Sequence, residues 1–329
     1  MRHILTYLFF VCLALNSYGQ STNKKNEAEK KRQAEKKISI KTNYIDSIQT
    51  AEQITELISK INDRYKEFEV NESLKFENKY SSKDYKKIAD SLNVQPWTKV
   101  DFDNNGLTDI LVIGNWEEYH TIICVLDKNG KYEIKPITRR FSQDCTFPVV
   151  ENNKIKYYFE SEQVHGKWHE PRQSKQITLI YLFGDFIEEN QSSANHKIEK
   201  IEYSASGCFG SCPIFKLTIN ADRTAKWYAE RYNEIKNKEV SGNFNSKITE
   251  DKYSDIVNLL NYIDFETLQD NYAVNWTDDQ TAKLKITYDN GKVKSIRDYG
   301  LLGTYGLDRV YQLLNELREN QKWENQNYL

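Results

Sequence analysis

Between Asp101 and Asp109 the chain reads Asp-Phe-Asp-Asn-Asn-Gly-Leu-Thr-Asp, with oxygen-bearing side chains at the first, third, fifth and ninth positions and glycine at the sixth. This is the order in which a short loop wraps a hard cation. Asp101, Asp103, Asn105 and Asp109 can offer side-chain oxygens, and Leu107 a backbone carbonyl. Three carboxylates crowded into so short a stretch repel one another, and Ca²⁺ would neutralise them. The twelfth position is Val112, so the bidentate glutamate of an EF-hand is missing and a strand follows instead. Two readings stand side by side: a weak, structural Ca²⁺ site, or a metal-free turn rich in Asx residues.

The loop is similar to the calcium loops of FG-GAP-type repeats. Only this single copy is present, and the likeness covers no more than the loop itself.

A second constellation is Gly207-Cys208-Phe209-Gly210-Ser211-Cys212-Pro213. Gly207 and Gly210 permit positive φ, and Pro213 closes the loop into a strand. Cysteines at this spacing in a tight turn can meet the Cα separation a disulfide requires. The ring is small, so the entropic gain is about 2 kcal/mol. A structural disulfide is the leading reading. A redox pair is disfavoured by the three-residue spacing and by the lack of a helix start behind it. A catalytic thiol is disfavoured because the second half holds no histidine beyond His196.

Other candidates carry less. His165 and His169 have the spacing of a metal pair on a helix, but Gly166 and Pro171 make the stretch a loop, and no glutamate follows His165 to complete a zincin motif. The run from Gly303 to Gly306 lacks the lysine of a phosphate loop, and no Gly-x-Ser-x-Gly elbow occurs. No catalytic residue is assigned.

The elements that must hold these loops follow from periodicity. Thr50 and Gln53 have capping-box spacing, and Ile54, Leu57, Ile58, Ile61, Tyr65 and Phe68 form one helical stripe. A second helix is expected over Ser82–Leu92, with Tyr85, Ile88, Ala89 and Leu92 inward. The acidic loop sits between two short apolar runs, the second being Asp109–Ile113. Hairpins follow over 120–137 about Asn129-Gly130, over 147–159 and over 177–187. Asn190–Asn195 reads as a linker. Beyond it come a strand at 198–203, hairpins at 215–229 and 282–297, and helices at 249–263 and 307–317. Hairpins alternating with single helices indicate an α+β fold: two units of antiparallel sheet with helices packed against them.

From about Ile198 to Leu317 the chain resembles domain of unknown function 6438, a family of secreted bacterial proteins. The Cys-Phe-Gly-Ser-Cys-Pro hexamer is the most specific part of the likeness. The Asp279-Gln280-Thr281 approach to a strand and the hairpin ending at Tyr299-Gly300 belong to it as well. The resemblance implies a fold and an envelope setting, and brings no activity.

The compartment comes from the amino terminus. Met1-Arg2-His3 precedes an apolar run from Ile4 to Leu15, and small residues Ser17 and Gly19 flank a cleavage point. The run is too short to cross a bilayer of about 30 Å. Residues 1–19 are therefore expected to be a cleaved signal peptide and 20–47 a charged linker. A helical hairpin plus β-rich domain is expected over 48–190, and an α+β domain over 198–322. Losing Cys12 with the leader leaves Cys124, Cys145, Cys208 and Cys212. That is an even count, suited to structural disulfides in an oxidising compartment, with three pairings possible.

Composition closes off further classes. With 46 basic against 48 acidic residues the net charge is −2, which opposes a nucleic-acid partner. Aromatics at 13%, including 22 Tyr, oppose wholesale disorder. The expectation is a periplasmic or secreted, non-catalytic protein that binds an envelope protein or ligand. It is not membrane-embedded, and Ca²⁺ is its one candidate cofactor. The alternative is an extracytoplasmic enzyme: a thiol oxidoreductase using Cys208 and Cys212, or a Ca²⁺-dependent hydrolase.

Overall fold

In a computed structural model of the chain, the described residues are 41–74, 83–117, 119–139, 143–161 and 174–326. The expected signal peptide, His165 and His169 lie outside them. Regular structure is already present before the boundary expected at residue 48. Asn43 caps a one-turn helix, α1 (Tyr44–Ser47), through a capping box with Asp46, and Ile45 is fully buried. The Lys41 amide bonds to the Gly106 carbonyl at 3.0 Å, tying this segment to the acidic loop.

Thr50 and Gln53 form the expected capping box at the start of α2 (Ala51–Ile61). The helix stops at Ile61, about two turns short of the predicted stripe's end at Phe68. Asn62 is extended, and its side chain accepts from the Arg64 amide, starting a 3₁₀ turn over Asp63–Tyr65. Tyr65 and Phe68 still reach the same core, but from irregular chain. In α3 (Lys83–Ser91) only Ala89 is buried among the described side chains; Ile88 and Leu92 are exposed. The two helices are not a hairpin. Helix α2 packs on the first sheet, whereas Ala89 of α3 packs against Phe147 of the second.

The first sheet comprises β1 (Glu69–Val70), β2 (Trp97–Val100), β3 (Asp109–Trp116), β4 (Tyr119–Asp127) and β5 (Tyr132–Pro136). Its central strands are apolar without alternation because both faces are covered. Ile110, Val112, Ile123 and Val125 meet α2, while Leu111, Ile113, Ile122, Cys124 and Leu126 face the second sheet. That sheet is a meander of β6 (Gln143–Glu151), β7 (Lys154–Ser161), β8 (Ser174–Leu182) and β9 (Asp185–Glu188).

The third sheet has eight strands. They are β10 (Ile198–Ala205), β11 (Ile214–Asn220), β12 (Thr224–Ile235), β13 (Lys238–Lys247), β14 (Asn271–Ala273), β15 (Thr281–Tyr288), β16 (Lys292–Tyr299) and β17 (Glu324–Asn325). They lie side by side as β14-β16-β15-β10-β11-β12-β13-β17, and all pairs are antiparallel except β14 with β16. Helices α4 (Glu250–Tyr262) and α5 (Tyr305–Asn320) cover one face. Alternate residues such as Ile201, Tyr203, Leu217, Trp227, Leu284 and Ile296 point into that core with Leu260, Val310 and Leu314. The architecture is α+β and mostly antiparallel, as the sequence implied. No helix among the described residues is long and apolar enough to cross a membrane.

The stretch expected to be a free linker is tied down. Asn190 donates twice to Tyr262, from its backbone amide to the hydroxyl and from its side-chain amide to the carbonyl, and the Ala194 amide donates to the Asn261 carbonyl. The two units also meet at the start of α5. Glu188 accepts from the Tyr305 and Gly306 amides at 2.6 and 2.8 Å, and the Tyr305 hydroxyl donates to the Ile137 carbonyl at 2.7 Å.

Candidate functional site

The acidic loop joins β2 to β3 and is held by its own Asx side chains. Asn104 and Gly106 adopt left-handed backbone, at φ 57° and 85°. Asp101 accepts from the Asn105 and Gly106 amides (3.1 and 2.8 Å), and Asp103 accepts from Asn105 twice, at 3.1 Å each. Asp109 opens β3 and is wholly buried. Its two oxygens accept from the Phe102 and Asp127 amides, both at 2.8 Å. Ligand atoms of Asp101, Asp103 and Asp109 all lie within 4.8 Å of one another.

The electrostatics follow from that crowding. Burial pushes the Asp109 carboxyl up to about 7 against the pull of its two amide donors, and the negative Asp103 and Asp101 add to the rise. Asp101 is raised by burial too, opposed by the Gly106 and Asn105 amides. Lys128, in the turn after β4, forms an ion pair with Asp103 and donates to the Tyr181 hydroxyl at 3.1 Å.

The predicted ligands therefore converge unequally. The three carboxylates come together as hard oxygen donors, which suits a divalent cation in kind. Asn105 spends its amide on Asp103 and on the Asp127 carbonyl (2.7 Å). Leu107 gives its N–H to Asn105 Oδ1 at 2.7 Å and buries its side chain. Lys128 already brings one positive charge to the cluster. Sequence spacing could not reveal it, because it sits 25 residues from Asp103 in the next hairpin.

The second candidate is the loop between β10 and β11. Cys208 and Cys212 are disulfide-bonded, with Cα atoms 5.6 Å apart. The loop is fastened to the approach to β15. The Phe209 amide donates to the Asp278 carbonyl (2.9 Å), and Gln280 Nε2 donates to the Ser206 and Pro213 carbonyls (2.7 and 2.9 Å). Gly210 has φ 142°, as a tight turn requires. Gly207 is not left-handed. It is small for another reason: a Cβ there would come within 3.2 Å of Ile214. Phe209, at the tip, is 89% exposed.

Cys124 does not join a disulfide. It lies mid-strand on β4, facing the second sheet with no exposed surface, and is a free thiol. Burial pushes this thiol well up, with the Asp109 and Asp103 charges adding to the effect, so it behaves as a small core residue. The side chain of Cys145 lies outside the described residues.

One polar cluster went unrecognised in the sequence. His196 bridges two carboxylates, with Nδ1 2.6 Å from Asp289 and Nε2 3.2 Å from Glu266. Phe265 and Tyr288 pack edge-on against its ring. The signal available was a lone histidine before β10 together with the Asp289-Asn290-Gly291 turn, 93 residues away. This is a bridge between the strand-start and a hairpin tip.

Residues 199–319 match the family described as a domain of unknown function, DUF6438. The DUF6438 segment spans β10 to nearly the end of α5 and contains the stapled loop, the clamp at Gln280 and the eight-stranded sheet except β17. No curated protein and no solved structure matches the chain significantly.

Proposed function

We propose that this is an exported, non-catalytic binding protein whose DUF6438 segment engages an envelope protein through the stapled loop. The observation that carries the reading is Phe209. A large aromatic side chain held 89% in solvent costs free energy unless something covers it. Here the tip is fixed by the Cys208–Cys212 bond and by five hydrogen bonds between residues 206–213 and 278–281. A preorganised aromatic anchor loses little entropy on docking, which is the character of an interface hot spot. The signal-like amino terminus supports export, because the bond then forms in an oxidising compartment.

The acidic loop is read as a weak structural Ca²⁺ site. Asp101, Asp103 and Asp109 would hold the ion, whose charge would offset the burial, and the mutual repulsion added to it, that raise Asp101 and Asp109. The oxidoreductase alternative is less well supported, because Cys212 is followed by Pro213 and β11. No helix amino terminus is there to stabilise a thiolate.

The test replaces Phe209 with a photo-crosslinking phenylalanine analogue in the full chain expressed in its native host, with exposed Val293 substituted likewise as control. Irradiation should give one discrete envelope-protein adduct from position 209 and none from 293. Equal, diffuse labelling from both positions would overturn the reading. So would recovery of uncleaved chain from the cytoplasm with Cys208 and Cys212 reduced.

A further inference from the structure

The sheet of the DUF6438 segment has a second face, opposite α4 and α5, and its composition differs from the rest of the chain. Strand register places Arg297, Lys283, Ser204, Lys216 and Tyr228 in one row across β16, β15, β10, β11 and β12. The next row carries Ser295, Lys285, Glu202, Thr218 and Lys226. With Lys200 on β10, these rows bear six cations (Lys200, Lys216, Lys226, Lys283, Lys285, Arg297) against the one carboxylate of Glu202, in a chain whose net charge is −2.

The distribution within the rows matters more than the count. Glu202 is already neutralised, with Lys200 and Lys285 at 3.1 and 3.4 Å. Burial works against its charge, yet those two lysines carry its carboxyl below the usual range. Among the described residues no carboxylate pairs with Lys216, Lys226, Lys283 or Arg297. Lys283 and Arg297 stand directly opposite each other on neighbouring strands, an arrangement that destabilises a sheet. Folding gains nothing from that pair, but an anion laid between the two side chains would. The face is also concave. A shallow depression of about 400 Å³ is lined by Ser204, Lys216, Lys283, Lys285 and Arg297 together with two carboxylates already paired, Glu202 with Lys200 and Lys285 and Asp270 with Lys294 at 2.7 Å.

We infer that this saddle binds an extended acidic polysaccharide across the strands. Carboxylate or sulfate groups would meet Arg297, Lys283 and Lys216, with sugar rings against Tyr228, which is 40% exposed. With strands about 4.8 Å apart, the row from β16 to β12 spans roughly 19 Å, several sugar units rather than one small ion. Hydroxyls of Ser204, Thr218 and Ser295 lie between the cations, as sugar hydroxyls require. Two tyrosines, Tyr228 and Tyr299 beside Arg297, are too few for a nucleic acid that stacks base after base. A concave face with so little apolar projection does not suit a bilayer. The inference is independent of the stapled loop.

The test uses the full chain and fluorescent oligogalacturonate, a heparin fragment, oligo(dT) and phosphatidylglycerol vesicles, at low salt. One or both polysaccharides should bind, and affinity should fall at least about tenfold in Lys283→Gln/Arg297→Gln, and again as salt rises past about 0.3 M. Phe209→Ser and the distant pair Lys60→Gln/Lys66→Gln should leave binding unchanged. Both sites of the double variant are exposed and it removes a like-charge pair, so its melting temperature should be no lower than the parent's. Three results would each overturn the inference: no polysaccharide binding at low salt, equal binding by the double variant, or tighter binding to oligo(dT) or vesicles.

Discussion

Asp109 makes the most exacting demand on solution behaviour. Its carboxyl is buried and sits beside Asp101 and Asp103, so despite the pull of two backbone amides it holds its proton up to about 7 against a reference of 3.8. The folded chain thus binds this proton more tightly than the unfolded chain. Its contribution to stability falls as pH rises between about 4 and 7, and levels off above. The full difference of about three pH units corresponds to about 4 kcal/mol, and the portion between pH 5 and 7 to about 2 kcal/mol. The assay is urea unfolding of the parent and Asp109→Asn at pH 5 and pH 7 in the presence of chelator. Asp298 and Asp308, also raised by burial, are common to both proteins and cancel in the comparison. The parent should lose about 2 kcal/mol more than the variant on going from pH 5 to 7. Identical losses would refute the electrostatic account of the loop. Millimolar Ca²⁺ should then stabilise the parent at pH 7 and abolish its excess pH dependence, whereas no response would retire the metal and leave Lys128 as the cluster's cation.

Three further outcomes are expected. Cys208→Ser/Cys212→Ser should cost no more than about 2 kcal/mol in urea unfolding, because the closed ring is short. Glu188→Ala should cost about 2 kcal/mol, with Glu188→Gln recovering part of it, since the side chain accepts from the first two amides of α5 across the contact between units. The Asp289 carboxyl is held below its usual range by hydrogen bonds from His196 and the Lys197 amide, so its contribution is present above about pH 4 and is lost as pH falls through its folded value. Asp289→Asn should flatten that acid limb in a pH series of thermal melts.

The hairpins were legible wherever turn chemistry was explicit. Asn129-Gly130 and Asn290-Gly291 set the turns that join β4 to β5 and β15 to β16, and the positive φ of Asn129, Gly130, Asn290 and Gly291 shows why those residue types stand there. The carboxylates of the acidic loop were legible too, because their partners lie within nine residues. Strand β13 was not. Its residues from Lys238 to Lys247 are mostly polar and exposed, and the bulge between Ala229 and Asn233 on β12 breaks the alternation that would have marked the pair. Tyr65 and Phe68 kept a helical rhythm after the helix had ended, since periodicity records which way side chains face and not which backbone carries them. Lys128 and the His196 bridge depend on long-range placement, which local spacing does not encode.

The clamp at Glu188 bears on how the family segment can be handled by itself. A fragment trimmed to residues 199–319 would lack the acid that satisfies the start of α5. It would also lack Ile187 and Ile198, which complete the core beneath the sheet, and Trp323, which packs on Trp227. The unit defined by sequence kinship is thus narrower than the unit that closes its own interior, and neighbours grafted beside it elsewhere would have to supply an equivalent acid and apolar plug.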